Sequence, residues 1–208
     1  MPVPDFDLYL VTDRSQTLGR DLLWVLERAL EGGIRAVQFR EKDLGGKELF
    51  LLAEAVRKLT HRYRAALLIN DRIDVALAIG ADGVHLGGES FPIARARELI
   101  GAQKIIGVST HGLEEAREAE EQGADFIVFG PVYFTPSKAN YGAPQGLMKL
   151  KKIVEKTSVP VYAIGGIKPE NIPETNKTGV RGIALISAVV SASDPKIAAE
   201  EIVGRLRR

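Results

Sequence analysis

The chain has no cysteine, which excludes disulfides, thiolate metal sites and a cysteine nucleophile, and fits a cytoplasmic protein. Neither sign of charge prevails: 28 Lys and Arg stand against 27 Asp and Glu, a net of +1. Without a global field, and without a local run of Lys or Arg, nothing points to nucleic acid. No apolar stretch approaches the ~20 residues needed to span a bilayer. The opening Met1-Pro-Val-Pro-Asp-Phe-Asp7 lacks the charged region and apolar run of a secretory signal. No Gly-x-Gly-x-x-Gly follows an early strand, as dinucleotide binding would ask.

What is present is an ordinary globular composition, 45% hydrophobic and 26% charged over 208 residues, enough to bury a core. Short runs rich in Val, Ile and Leu alternate with segments of helical period. The runs begin at Leu8, Ala36, Ala66, Gly83, Lys104, Phe126, Val159 and Gly182, the last of them reaching Ser187. Each is followed by a helical segment: 21–30, 47–63, 73–79, 92–100, 113–122, 147–156, a weak one from Pro169 to about Lys177, and 195–207. A sub-pattern supports the count. Gly33-Ile-Arg-Ala-Val, Gly80-Ala-Asp-Gly-Val, Gly123-Ala-Asp-Phe-Ile and Gly179-Val-Arg-Gly-Ile each read as a helix-ending glycine, turn residues and a buried strand. Strands apolar on both faces imply a parallel sheet covered by helices. Eight such units, with no linker or composition shift, predict one (β/α)8 barrel domain over residues 1–208.

The stretch Gln38-Phe-Arg-Glu-Lys42 stands out. Read as a strand continuing to Lys42, it puts Gln38, Arg40 and Lys42 on one face, with no acidic neighbour there. A half-buried cation needs a partner, so either another part of the fold or an anionic ligand must supply it. A solvated edge strand is the plainer alternative. In a barrel the site lies at the C-terminal ends of the strands, and the polar residues collect there: Asn70, Asp71, His85, Ser109, His111, Thr135, Ser137, Lys138, Gly165, Gly166 and Ser187. Gly165-Gly166 and Ile186-Ser187 fit a phosphate held on backbone N–H groups. Arg40, Lys42 and Lys138 together suit a diphosphate, and Asp71 suits either a bridging Mg²⁺ or an N-cap for the next helix. His85 and His111 read as acid-base groups or as hydrogen-bonded structural residues.

Taken together, Gln38-Phe-Arg-Glu-Lys42, Asn70-Asp71, Gly83-Val-His-Leu-Gly87, Gly107-Val-Ser-Thr-His111, Phe129-Gly-Pro-Val-Tyr133, Thr135-Pro-Ser-Lys138, Ala163-Ile-Gly-Gly-Ile167 and Ile186-Ser-Ala188 resemble the thiamine-phosphate synthase family and the related thiazole tautomerase family. The resemblance runs from Tyr9 to Val189. It implies a Mg²⁺-dependent enzyme acting on a phosphorylated pyrimidine and a phosphorylated thiazole. Gln38, Arg40, Lys42, Asn70 and Lys138 would hold the pyrimidine diphosphate, with Ser109 near the pyrimidine and Asp71 on the metal. Thr135, Ser137, Gly166, Ile186 and Ser187 would hold the thiazole phosphate. Arg40, Lys42 and Lys138 would carry the catalysis by neutralising the leaving diphosphate. The synthase pattern has a second metal carboxylate where this chain has Ser90, beside Glu89. That departure leaves two other readings, an isomerase of carboxythiazole phosphate and a non-catalytic binder of thiamine phosphates. A homodimer is consistent with a barrel of this kind.

Overall fold

The computed structural model describes residues 4–136 and 143–206. Its strands are β1 Leu8–Val11, β2 Ala36–Phe39, β3 Ala66–Asn70, β4 Gly83–Leu86, β5 Ile105–Thr110, β6 Phe126–Phe129, β7 Val161–Ile164 and β8 Gly182–Leu185. All pair in parallel in chain order, and β8 returns to β1 with Leu8 opposite Ile183, so the sheet closes into a (β/α)8 barrel. The helices are α1 Leu22–Glu31, α2 Gly46–Arg62, α3 Ile73–Ala78, α4 Ile93–Ile100, α5 Leu113–Glu121, α6 Gly146–Lys156, α7 Ile172–Asn176, α8 Ser187–Val190 and α9 Pro195–Leu206. In α1 the buried Leu22, Val25, Leu26, Ala29 and Leu30 recur at helical spacing, and the Asp21 carboxylate caps the start by accepting from Trp24 N–H at 3.0 Å.

Strand alternation divides the apolar residues into two sets. Leu8, Leu10, Val37, Phe39, Leu67 and Ile69 face the helices, while Phe6, Tyr9, Ala36, Leu68, Phe126, Val128, Tyr162 and Ala184 form a separate cluster inside the barrel. Phe6, Tyr9, Phe126 and Tyr162 interlock, with ring centroids 5.2–5.7 Å apart. Tyr162 Oη also donates to the Phe6 carbonyl at 2.7 Å. This aromatic layer needs the missing side chain of Gly107, because a Cβ there would lie 2.3 Å from Phe126 and 2.7 Å from His85 Nδ1.

The Gly-Ala-Asp repeats have a structural use. Asp82 accepts from Leu67 N–H at 2.8 Å and pairs with Arg57, and Asp125 accepts from Ile106 N–H at 2.7 Å and pairs with Arg97. Each ties the start of one strand to a helix at the end of the barrel away from the site.

Two expected boundaries are corrected. β2 stops at Phe39 and does not continue to Lys42, because the backbone N–H of Arg40 turns to Thr12 Oγ1 at 2.8 Å. The doubly cationic strand face therefore does not form. Lys42 is exposed, Arg40 is half-buried, and the intervening Glu41 is buried. The edge-strand alternative also fails, since β2 is paired on both sides, to β1 and β3. The last strand, expected to reach Ser187, ends at Leu185. Ile186, at φ −120° and ψ −89°, leaves the sheet and starts the short helix α8.

Candidate active site at the barrel mouth

A closed parallel barrel carries the ends of all its strands to one rim, and the polar residues singled out above follow those ends. From β2 come Gln38 and Arg40, from β3 Asn70 and Asp71, and from β5 Ser109 and His111. Thr135 sits half-buried in the segment after β6, Gly165 and Gly166 follow β7, and Ile186 and Ser187 follow β8. Ser137 and Lys138 lie outside the described residues.

Inside the mouth a line of polar groups spans four strands. Gln38 Nε2 donates to Tyr9 Oη at 3.4 Å, Tyr9 Oη lies 3.4 Å from His85 Nδ1, and His85 Nε2 lies 2.9 Å from Ser109 Oγ. Burial, reinforced by the positive charge of Arg40, pushes the imidazole of His85 down to about 3, so the ring is neutral at neutral pH. Burial likewise raises Tyr9 far above the ordinary tyrosine range, which keeps its proton in place. Of the two expected uses of His85, the hydrogen-bonded structural one is what these contacts show. His111 differs, being exposed at the rim with its Nδ1 2.5 Å from the Gly130 carbonyl.

Among the described residues no carboxylate pairs with the Arg40 guanidinium. Its neighbour Glu41 instead accepts from the Arg14 backbone N–H at 3.0 Å, and burial raises the Glu41 carboxyl above its ordinary range. The charge of Arg40 does reach Asp13. Partial burial there is outweighed by hydrogen bonds from Ser15 and Gln16, with Arg40 adding to them, and the carboxyl is lowered. Tyr9, within β1, and Thr12 and Asp13, just after it, were not among the residues read from sequence as part of the site.

Asp71 sits at φ +60°, a left-handed conformation that costs energy outside glycine, although Asp tolerates it better than most. Its Oδ2 accepts from Asn70 Nδ2 at 2.7 Å and its Oδ1 from Ser90 Oγ. Ser90 Oγ in turn accepts from Gly87 N–H at 2.6 Å. Arg72, not Asp71, stands at the N-cap of α3, with no side-chain bond there, so the capping alternative for Asp71 is overturned. No cluster of three His, Cys, Asp or Glu suited to a metal occurs among the described residues. Mg²⁺ characteristically keeps several waters and takes one or two carboxylates plus substrate phosphate oxygens. One aimed carboxylate beside a hydroxyl fits a Mg²⁺ shared with a diphosphate, and does not fit a cation caged by protein alone.

On the opposite side of the mouth Gly165 and Gly166 have φ +96° and +65°. A Cβ on Gly166 would lie 2.4 Å from the Phe134 carbonyl oxygen, so the chain after β6 packs directly on this turn. Tyr133 N–H donates to the Gly165 carbonyl at 2.9 Å and Asn171 Nδ2 to the Gly166 carbonyl at 3.0 Å, which ties down the carbonyls. Next to it, the first N–H groups of α8 at Ser187 and Ala188 have no carbonyl within the helix to meet, the arrangement that receives phosphate oxygens.

Comparison with known proteins gives a consistent result. The model of the family described as Thiamine monophosphate synthase matches residues 8–189. A relative from Geobacter sulfurreducens is 56% identical over 202 residues, 97% of this chain and 95% of its own. The thiamine-phosphate synthase of Clostridium novyi is 47% identical over 190 residues, 91% of this chain and 93% of its own. Among solved structures, a thiamine phosphate pyrophosphorylase from Pyrococcus furiosus superposes with a TM-score of 0.88 at 44% identity, covering 97% of this chain and 96% of that one. These matches do not favour the isomerase or the non-catalytic binder.

Proposed function

The chain belongs to the thiamine monophosphate synthase family and is a transferase that forms thiamine phosphate, and we propose that it does so in a Mg²⁺-dependent reaction at the barrel mouth. In this reading the substrates are 4-amino-2-methyl-5-(diphosphooxymethyl)pyrimidine and 4-methyl-5-(2-phosphooxyethyl)thiazole. The bond between the pyrimidine methylene and the diphosphate oxygen breaks, and its electron pair leaves with diphosphate. The thiazole nitrogen gives its lone pair to the methylene, forming the new C–N bond. No protein nucleophile is needed, in keeping with a chain that lacks cysteine.

In this reading Arg40, Lys42 and Lys138 neutralise charge gathering on the departing diphosphate, which is electrostatic catalysis. Gln38 and Asn70 hold the pyrimidine diphosphate and Ser109 meets the pyrimidine ring. Thr135, Ser137, Gly166, Ile186 and Ser187 hold the thiazole phosphate and so aim the ring nitrogen at the methylene. Asp71 would hold the metal, with the Ser90 hydroxyl beside it; when bound, Mg²⁺ adds positive charge against the leaving group. The observation that carries the reading is barrel closure, because it brings the chain after β2 to the same rim as the turns after β7 and β8. A cytoplasmic homodimer completes the proposal, and sedimentation would report the dimer.

The test is to incubate both phosphorylated halves with the protein and Mg²⁺ and to measure diphosphate and thiamine phosphate. Stoichiometric formation of both is expected. No diphosphate with any divalent cation would retire the proposal.

A further inference from the structure

We propose that Tyr9 and His85 are positioning residues that set the hydrogen-bond polarity of the site, making Ser109 a donor and Gln38 an acceptor toward an aminopyrimidine. The inference rests on the synthase reading for its ligand, and on the line of contacts from β2 to β5 for its physics.

Tyr9 and His85 are 0% and 2% exposed, so their polar atoms must satisfy one another. The phenol has a single proton. With the Gln38 amide N–H donated to the Tyr9 oxygen, that proton is left for His85 Nδ1, 3.4 Å away. A neutral imidazole also has a single N–H, and with Nδ1 accepting it must reside on Nε2, which donates to Ser109 Oγ at 2.9 Å. Once Ser109 Oγ accepts from the ring, its own hydrogen is free for a ligand. At the other end one N–H of the Gln38 amide goes to Tyr9, which turns the side chain so that its carbonyl oxygen is the acceptor it offers the same ligand. Gly107 keeps this alignment, since a Cβ there would lie 2.7 Å from Nδ1.

A 4-aminopyrimidine presents the complementary groups, an amino N–H to give and ring nitrogens to receive. The 4-oxo analogue reverses the edge, offering a carbonyl and a ring N–H. A site with fixed polarity leaves buried groups unpaired against the wrong analogue, the strongest form of discrimination that hydrogen bonding supplies.

Two measurements on the full chain test the proposal. ¹⁵N–¹H long-range spectra of histidine-labelled protein report the tautomer of each of the three histidines. The Nε2–H form is expected for His85, and the Nδ1–H form would overturn the proposal. His85→Asn identifies the signal, or Tyr9→Phe if that variant does not fold. The second measurement is the ratio of kcat/KM for the 4-amino diphosphate to that for its 4-oxo analogue. Tyr9→Phe keeps the packed ring but withdraws the proton from Nδ1, and the ratio is expected to fall about tenfold. An unchanged ratio in a folded Tyr9→Phe protein would equally overturn it. Failure of the synthase reading would appear separately, as absence of turnover in the unmodified chain, with the tautomer measurement still deciding the polarity.

Discussion

Ser90 donates its hydroxyl proton to a carboxylate oxygen of Asp71 across the gap between the ends of β3 and β4, while Gly87 N–H holds the same hydroxyl from behind. A neutral residue therefore orients the carboxylate proposed to hold the metal, at a position from which a second carboxylate would reach a cation bound there. Metal affinity at oxygen sites rises with the number of charged ligands. Ser90→Asp is expected to lower the Mg²⁺ concentration for half-maximal diphosphate release several-fold. Asp71→Asn should lower activity at saturating Mg²⁺ by about 10²-fold, the scale of one charged transition-state contact. A Mg²⁺ titration of the three proteins checks both, and an unaltered requirement in Ser90→Asp would argue against a cation at Asp71.

Arg40 is half-buried at the rim, and no described carboxylate pairs with its guanidinium. Arg40→Ala is expected to reduce kcat by at least ~10². Arg40→Lys should recover only part of the loss, because a point charge does not reproduce a bidentate guanidinium. Exposed Lys42 should cost less when removed, which single-turnover rates would show.

Gly166→Ala meets two obstacles at once, a φ of +65° and a Cβ 2.4 Å from the Phe134 carbonyl oxygen. The left-handed conformation alone costs a side chain about 1–2 kcal/mol, and the clash forces the chain after β6 to move. The expected outcome is a KM for the thiazole phosphate raised tenfold or more, with the KM for the pyrimidine diphosphate little changed. Equal increases in both would place the turn outside the thiazole site.

His85 makes stability depend on pH with a definite sign. The ring is neutral when folded, held down to about 3 from an ordinary 6.5, so only the unfolded chain takes up a proton as pH falls below 6.5. Stability from this residue is intact above that value. It is lost between about pH 6.5 and 3, by about 1.4 kcal/mol per pH unit. Urea midpoints measured from pH 7 to pH 4 should fall accordingly, and His85→Gln, though less stable at pH 7, should show a shallower fall.

The barrel itself was legible because its signals are local. Val25, Leu26, Ala29 and Leu30 repeat at helical spacing and the buried runs at Leu67–Ile69 and Phe126–Phe129 are apolar on both faces. A strand of that kind has nowhere to go but between a filled barrel and a covering helix. The end of β2 was misread because alternation continues through Arg40 and Lys42 in the sequence. The hydrogen bond from Arg40 N–H to Thr12, a residue 28 positions earlier, is what ends the strand.

Sequence by itself determined the barrel and the side of it that carries the polar residues, since period and turn glycines act over a few residues. It did not reveal Tyr9 as part of the site, because within Leu-Tyr-Leu-Val a tyrosine reads as one more buried ring. Only the tertiary structure decided that role, by bringing Tyr9 to His85 from 76 positions away. The same holds for Asp71 and Ser90, 19 apart, whose pairing depends on the ends of adjacent strands meeting. The proton direction proposed along Gln38, Tyr9, His85 and Ser109 depends on contacts between strands, and no spacing along the chain encodes them.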